Sequence, residues 1–150
     1  MFHEVVEGGS GFAAVDADEP AAADLLDAFG AMVAEAAASV DDGRLIGETG
    51  LTEAAATAAR DGDVSEMTLA DAATVLAATD GDRDADAMVA EVRDHLLMGM
   101  ATAVLDVDAL AAKIDADLTG QEVQQALEGR TPMTLGQLAE ILAVVERRKP

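Results

Sequence analysis

The chain has 150 residues, of which 51% are hydrophobic and only 2% aromatic, with neither Trp nor Tyr. Its net charge is -21, from 30 acidic and 9 basic side chains, so the molecule as a whole repels phosphate at ordinary salt concentrations. The apolar fraction is too high for an intrinsically disordered chain, and the lack of Cys excludes disulfides and Cys-based zinc sites. A core built from Ala, Leu, Val and Met favours an all-α fold.

The N-terminal residues 1 to 18 show no sustained hydrophobic period and include the run Gly8-Gly9-Ser10-Gly11, which predicts a flexible lead-in. The N-terminus has no basic stretch followed by an apolar run, which is the pattern of a signal peptide, so we expect none. The most apolar window, His95 to Leu105, has 11 residues. That is too short for a membrane span of about 20 helical residues, so we expect a cytoplasmic protein.

Residues 19 to 80 form the predicted first half of the folded chain. An apolar stripe from Leu25 to Val40 at helical spacing predicts its first helix, and the run Asp41-Asp42-Gly43 is expected to stop that helix. A short helix from Leu45 and a turn then follow. Two more helices complete this half, one with Thr52 as N-cap and one beginning at Thr68.

The predicted second half, residues 84 to 148, follows an acidic, glycine-containing linker and has the same order of helices. Its long first helix, from about 85 to 105, is apolar nearly all round past His95, so we expect it to be the most buried helix. A short helix near 108–114 comes next. Thr119 and Glu122 fit a capping box at the start of the following helix, and Thr134 with Gln137 repeats that box at the last one.

The phrase Met-Thr-Leu occurs at residues 67–69 and again at 133–135, each time shortly after a glycine and before a helical pattern. A Leu-Thr pair also stands 11 residues before each of these glycines, Gly62 and Gly129. The shared spacing predicts an internal repeat of two helix-turn-helix-like halves, which can pack as one globule.

The runs LIGETGLTEAAATAARDG, residues 45–62, and ALAAKIDADLTGQEVQQALEGRTPMTLGQLAEIL, residues 109–142, resemble the helix-turn-helix of the lambda-repressor and Cro family. Gly50-Leu51-Thr52 matches the family's turn, whereas the second copy has an apparent extra residue there. This resemblance implies DNA binding by the helix after the turn. The Asp-rich, Lys-poor chain, most strongly from Asp84 onward, also resembles a haloarchaeal family of uncharacterised acidic proteins, which implies a saline habitat.

Three glutamines, Gln121, Gln124 and Gln125, are expected to share one face of the helix that follows Thr119. Glutamine can pair with adenine in the major groove, so these three are the candidate base contacts. The net charge is only -1 over residues 111 to 150, against -20 over residues 1 to 110. The candidate phosphate contacts in this less acidic part are Arg130, Arg147, Arg148 and Lys149.

An alternative account treats the glutamines as good helix formers on a solvated face, beside Glu122 and Glu128, which would oppose a phosphate backbone. In the first half the matching positions are Ala54, Thr57 and Ala58, which cannot pair with bases. The first copy is therefore expected to serve packing or partner contact. The alternative function for the chain is a non-catalytic protein-interaction module that has lost its DNA contacts and whose apolar long helix pairs with a partner or with itself.

No enzymatic activity is predicted, because Ser10 and Ser65 have no histidine within reach by sequence and no Gly-rich phosphate loop follows a strand. Glu91 and His95 share a helix face, but without a third ligand the pair indicates no metal site. We therefore expect no catalytic residue, no cofactor, no small-molecule substrate and no membrane partner. The candidate partners are double-stranded DNA, a second copy of the chain and another protein.

Overall fold

The computed structural model describes residues 21–47, 49–79, 84–114 and 118–148, and over these ranges it contains eight helices and no strand. The predicted all-α fold is confirmed, while the predicted lead-in at residues 1 to 18 lies outside the described ranges. The helices are α1 Ala22–Ala38, α2 Asp42–Gly47, α3 Glu53–Asp61, α4 Leu69–Thr79, α5 Ala85–Ala103, α6 Val107–Lys113, α7 Gly120–Leu127 and α8 Leu135–Arg148.

Side-chain caps begin the helices at the predicted places. The Thr52 hydroxyl accepts a hydrogen bond from the Ala55 amide at 3.1 Å. Thr119 and Glu122 form a complete capping box at α7. At α8 the Thr134 amide donates to Gln137 Oε1 and the Gln137 amide donates to Thr134 Oγ1, both at 3.1 Å. These bonds satisfy amides that have no partner within a helix's first turn, which is why the caps locate the helix starts.

The expected helix stop at Asp41-Asp42-Gly43 is wrong. α1 ends earlier, at Ala38, and Asp42 and Gly43 already lie in α2. The cause is the Asp41 carboxylate, which accepts a hydrogen bond from the Arg44 amide at 2.7 Å. An aspartate that caps the amide three residues on starts a helix, so this acidic run begins α2 and does not end α1.

α3 packs closely against α1. A Cβ atom added at Gly30 would lie 2.5 Å from the Gly62 carbonyl oxygen, so the two backbones approach each other as only glycine permits. Gly62 itself has φ +74°, which ends α3 in the left-handed conformation. The Arg60 guanidinium donates to the Ala37 oxygen at 3.0 Å and to the Val40 oxygen at 2.7 Å, which satisfies carbonyls at the end of α1.

The four longest helices form the centre of the fold. α1 packs on α4 and α8, and α5 packs on the same two helices. α8 buries eight of its fourteen residues and α5 only six of its nineteen, so α8 is the most buried helix. The expectation that α5 would be most buried is wrong, because only one of its faces packs on the core and the other remains exposed past His95.

A backbone bridge joins the segments that precede α4 and α8. Thr68 and Thr134 pair in antiparallel orientation. The Leu69 amide donates to the Met133 oxygen at 2.7 Å, and the Leu135 amide donates to the Met67 oxygen at 2.8 Å. The two predicted halves, 19 to 80 and 84 to 148, are therefore in direct contact through their Met-Thr-Leu segments.

No single helix within the described ranges is long and apolar enough to cross a membrane. Only α5 and α6 taken together pass such a test of length and composition, and the chain bends by 94° between them.

Candidate interaction surface at α5, α6 and α7

α6 and α7 pack on each other and present α7 at the surface of the molecule. Asp106 caps α6 by accepting a hydrogen bond from the Ala109 amide at 2.7 Å. α7 buries Val123, Ala126 and Leu127, and its opposite face is solvent-exposed. The amphipathic pattern of the sequence thus determines which side of this short helix a partner could reach.

The three glutamines predicted as base contacts lie around one shallow cleft with Arg130. Gln121 and Gln124 are exposed, and Gln125 is partly buried. Two carboxylates, Asp108 and Glu128, line the same cleft.

Glu128 contacts two of the side chains predicted to bind nucleic acid, Gln124 and Arg130. Its Oε1 accepts a hydrogen bond from Gln124 Nε2 at 2.9 Å, and its Oε2 lies 3.2 Å from Arg130 Nε. All three side chains are exposed, so each contact is weak and can exchange with water. A phosphate approaching Arg130 would still have to displace a carboxylate.

The other candidate phosphate contacts lie at the far end of α8. Arg147 and Arg148 are exposed in its last turn, whereas Arg130 precedes its first residue, Leu135. The rise of an α-helix places Leu135 and Arg147 about 18 Å apart along the axis. The structure therefore does not gather these arginines around Arg130. Lys149 lies outside the described residues.

The corresponding face of α3 carries small and acidic side chains. Ala54 and Thr57 are exposed and Ala58 is partly buried, with Glu53 and Asp61 exposed beside them. No side chain on this face offers the paired donor and acceptor of glutamine.

The C-terminal part of α5 and the residue that ends it expose apolar side chains that the sequence analysis did not single out. Leu97 is 49% exposed, Met98 70% and Val104 85%. We call these three residues the α5 patch. A signal for the patch was present in the sequence, because Met88, Val92 and Leu96 mark the buried stripe and residues 97 and 98 lie off it.

Leu97 of the α5 patch also lines a groove of about 320 Å³ between α5 and the α6–α7 pair. Leu97, Met100, Val107 and Leu127 form its apolar walls. Asp106, Gln124 and Glu128 line the remaining part of the groove. An apolar centre with a polar rim is the usual composition of a protein-binding surface.

No group of three or more His, Asp or Glu side chains in the described part of the chain is placed to hold a metal ion. His95 lies instead next to Glu146 of α8, with 3.7 Å between Nε2 and Oε1. Both side chains are largely buried, with 17% and 12% of their surface exposed, so this pair belongs to the α5–α8 interface.

No curated protein and no solved structure matches the chain. One family, described as a family of unknown function (DUF5791), matches residues 25–148, which include α7, the α5 patch and nearly all of α1. The chain therefore belongs to the DUF5791 family.

Proposed function

We propose that this protein is a non-catalytic interaction module that binds another protein through the α5 patch and the groove beside it. The observation that carries the proposal is the exposure of Leu97, Met98 and Val104, which lie in the last two turns of α5 and at the residue that ends it. They are the large hydrophobic side chains that the described part of the chain exposes. Apolar side chains gathered in one exposed place mark interaction sites, whereas scattered ones carry no such meaning.

The charge around the α5 patch specifies the chemistry of the partner. Glu91 and Asp94 are exposed on the same helix, and Asp106 and Glu128 are exposed across the groove. With a net charge of -21, the molecule attracts cationic surfaces. The partner that fits is an amphipathic helix whose apolar stripe is flanked by Lys or Arg.

The test uses a synthetic helical peptide with leucines on one face and lysines on the other, and measures its affinity by fluorescence anisotropy. Met98→Glu should weaken binding by about tenfold or more, because it places a charge at an exposed apolar position of the patch. Ala31→Glu is the matched control, since Ala31 is exposed on α1 and the substitution adds the same charge. Equal affinities for the two variants would overturn the proposal.

A scrambled peptide of identical composition separates groove binding from simple charge attraction. It should bind with lower affinity than the amphipathic peptide and should not distinguish Met98→Glu from Ala31→Glu. Sedimentation equilibrium of the protein alone tests whether the partner is instead a second copy of the chain. A dimer that Met98→Glu dissociates would identify that partner as a second copy of the chain.

A second candidate function is DNA reading through α7, which is favoured by the exposure of Gln121 and Gln124 on the second helix of the α6–α7 pair. Asp108 and Glu128 in the same cleft make it the weaker candidate. In concentrated salt, counterion release contributes little to DNA binding, so hydrogen bonds to bases would have to supply the affinity.

DNA reading is tested by enrichment of genomic fragments in about 2 M KCl, where surface charges are strongly screened. Fragments bound by the intact protein should be lost when Gln121, Gln124 and Gln125 are all replaced by Ala. Thr57→Ala on α3 is the control and should retain them. If no fragment is enriched by the folded, intact protein, this second candidate is rejected.

We also propose that the protein works in the cytoplasm of a cell with a high internal salt concentration. Support comes from 30 acidic residues against 9 basic ones in a chain that nevertheless folds around an apolar core. Screening shortens the range of repulsion between these carboxylates to about 3 Å at 1 M salt.

A further inference from the structure

A cavity of about 380 Å³ lies where the two halves meet, and we call it the interhalf cavity. The first half contributes Thr68, Leu69 and Ala70 from the start of α4. The second half contributes Val89 and Arg93 of α5, together with residues between 126 and 133. Its volume is within the range of sites that hold small organic ligands.

The Arg93 side chain lines this cavity and has a buried hydrogen-bond donor without an acceptor among the described residues. Its Nε atom is buried, and the structure gives it no hydrogen-bond partner in the described part of the chain. A buried guanidinium Nε–H without an acceptor costs folding stability. Such a cost is typical of a group kept for binding.

The backbone next to Arg93 leaves room for its guanidinium. A Cβ atom at Gly129 would lie 1.8 Å from Arg93 Nη1, so no other residue could stand there without displacing the arginine. Gly129 also has φ +79°, a conformation that favours glycine in its own right. Gly129 thus both ends α7 and leaves room for the Arg93 side chain.

The lining of the interhalf cavity is cationic in a strongly acidic protein. None of its described lining residues is Asp or Glu, although the chain has 30 of them. Arg130 is a second cation at the cavity; it is 74% exposed, and its Nε lies 3.2 Å from Glu128 Oε2, a carboxylate with which a ligand would compete. Thr68 and Thr131 add hydroxyl groups to the lining.

The remaining walls are apolar, with Leu69, Val89 and Met133 among them. We propose that the interhalf cavity binds a small organic anion, in which a carboxylate or phosphate is held by Arg93 and Arg130 and an apolar body rests on these walls. Arginine donors suit both anions because the guanidinium offers several N–H groups in one plane. The proposal is independent of the partner surface at the α5 patch.

The test follows the Arg Nε–Hε signals by ¹H–¹⁵N NMR during titration with benzoate, phenyl phosphate and benzyl alcohol. A saturable shift of the Arg93 signal by benzoate or phenyl phosphate is expected, and the tighter of the two identifies the anionic group. Benzyl alcohol, which has the apolar body without the charge, should leave the signal in place. If neither anion shifts the Arg93 signal saturably at millimolar concentrations, the proposal is overturned.

Arg93→Met provides a readout that a structural role would not give. It should weaken anion binding by about 10- to 100-fold, because it removes a charged hydrogen-bond donor. It should also raise the Tm of the ligand-free protein, because the buried donor without a partner is gone. Unaltered binding would show that Arg93 serves packing alone, and a fall in Tm would contradict the cost assigned to its buried donor.

Two further variants complete the set. Arg130→Gln should weaken binding by only a few fold, because Arg130 is exposed and already lies next to Glu128. Arg147→Gln removes the same charge at the far end of α8 and should leave the affinity unchanged. Equal losses for Arg147→Gln and Arg93→Met would mean diffuse attraction to a charged surface and would contradict a defined site.

Discussion

Thr68 and Thr134 pair as an antiparallel backbone bridge in which each Met-Thr-Leu segment donates one amide to the other. Leu69 donates to Met133, at 2.7 Å, and Leu135 donates to Met67, at 2.8 Å. Two copies of one segment that donate the same hydrogen bond to each other are typical of twofold-symmetric homodimers. We propose that the two halves derive from a duplicated unit that once paired with itself.

This proposed origin predicts that a fragment of residues 84 to 148 forms a homodimer with two Thr134 residues facing each other. The same surface would then bury the apolar faces of α5 and α8 that α4 and α1 cover in the intact chain. Sedimentation equilibrium measures the fragment's mass, and circular dichroism its helicity. A fragment that is folded and monomeric would contradict this origin.

Gly30→Ala should lower the free energy of unfolding by about 1–3 kcal/mol, because the added methyl group forces α1 and the Gly62 backbone apart. Gly47→Ala is the control. Nothing lies within 4 Å of a Cβ at Gly47, so this substitution should be neutral or stabilise by up to about 1 kcal/mol. Urea unfolding of both variants makes the comparison. Similar losses in both would show that helix contact at Gly30 is not the cause.

Val104→Gly should raise the free energy of unfolding by about 0.5–1 kcal/mol. Val104 has φ +56°, a backbone conformation that costs a β-branched residue energy, and its side chain is 85% exposed, so little burial is lost. Ala101→Gly, at an exposed helical position three residues earlier, should lower it by about 1 kcal/mol. Thermal unfolding shows whether each substitution raises or lowers the stability. A loss for Val104→Gly would mean that its side chain makes contacts worth more than the strain.

The free energy of unfolding should rise as KCl is increased from about 0.1 to 2 M, because screening reduces repulsion among the carboxylates. The comparison protein carries Glu35→Gln, Glu91→Gln and Asp94→Asn, three exposed sites. Its stability should depend less on KCl. If the free energy of unfolding rises equally in both proteins, the cause is a salt-strengthened hydrophobic effect and not reduced repulsion among carboxylates.

Short-range features of the fold could be predicted from the sequence, whereas the sequence indicated only in part which faces α5 exposes. Thr52, Thr119 and Thr134 indicated helix starts because each cap contacts an amide only three residues away. The role of Asp41 was mistaken because an acidic residue can follow one helix and cap the next. The exposure of Met98 depends on which helices cover α5, and hydrophobicity alone does not specify them.

The candidate sites also differ in whether the sequence alone could predict them. The shared face of Gln121, Gln124 and Gln125 follows from the period of one helix. The interhalf cavity joins Thr68, Arg93 and Arg130, which are far apart in the sequence. Its cationic lining therefore depends on tertiary packing, and no local pattern around Arg93 predicts it.

The bridge between Thr68 and Thr134 also fixes a distance on the surface of the molecule. Residues 67–69 follow α3 and residues 133–135 follow α7, so tying these segments together holds the outer faces of α3 and α7 at a set separation within one chain. In an assembly of two subunits that spacing exists only at concentrations where the subunits remain associated. Here a partner that contacts both helices meets the same spacing at any dilution, so the second contact forms at a high effective concentration.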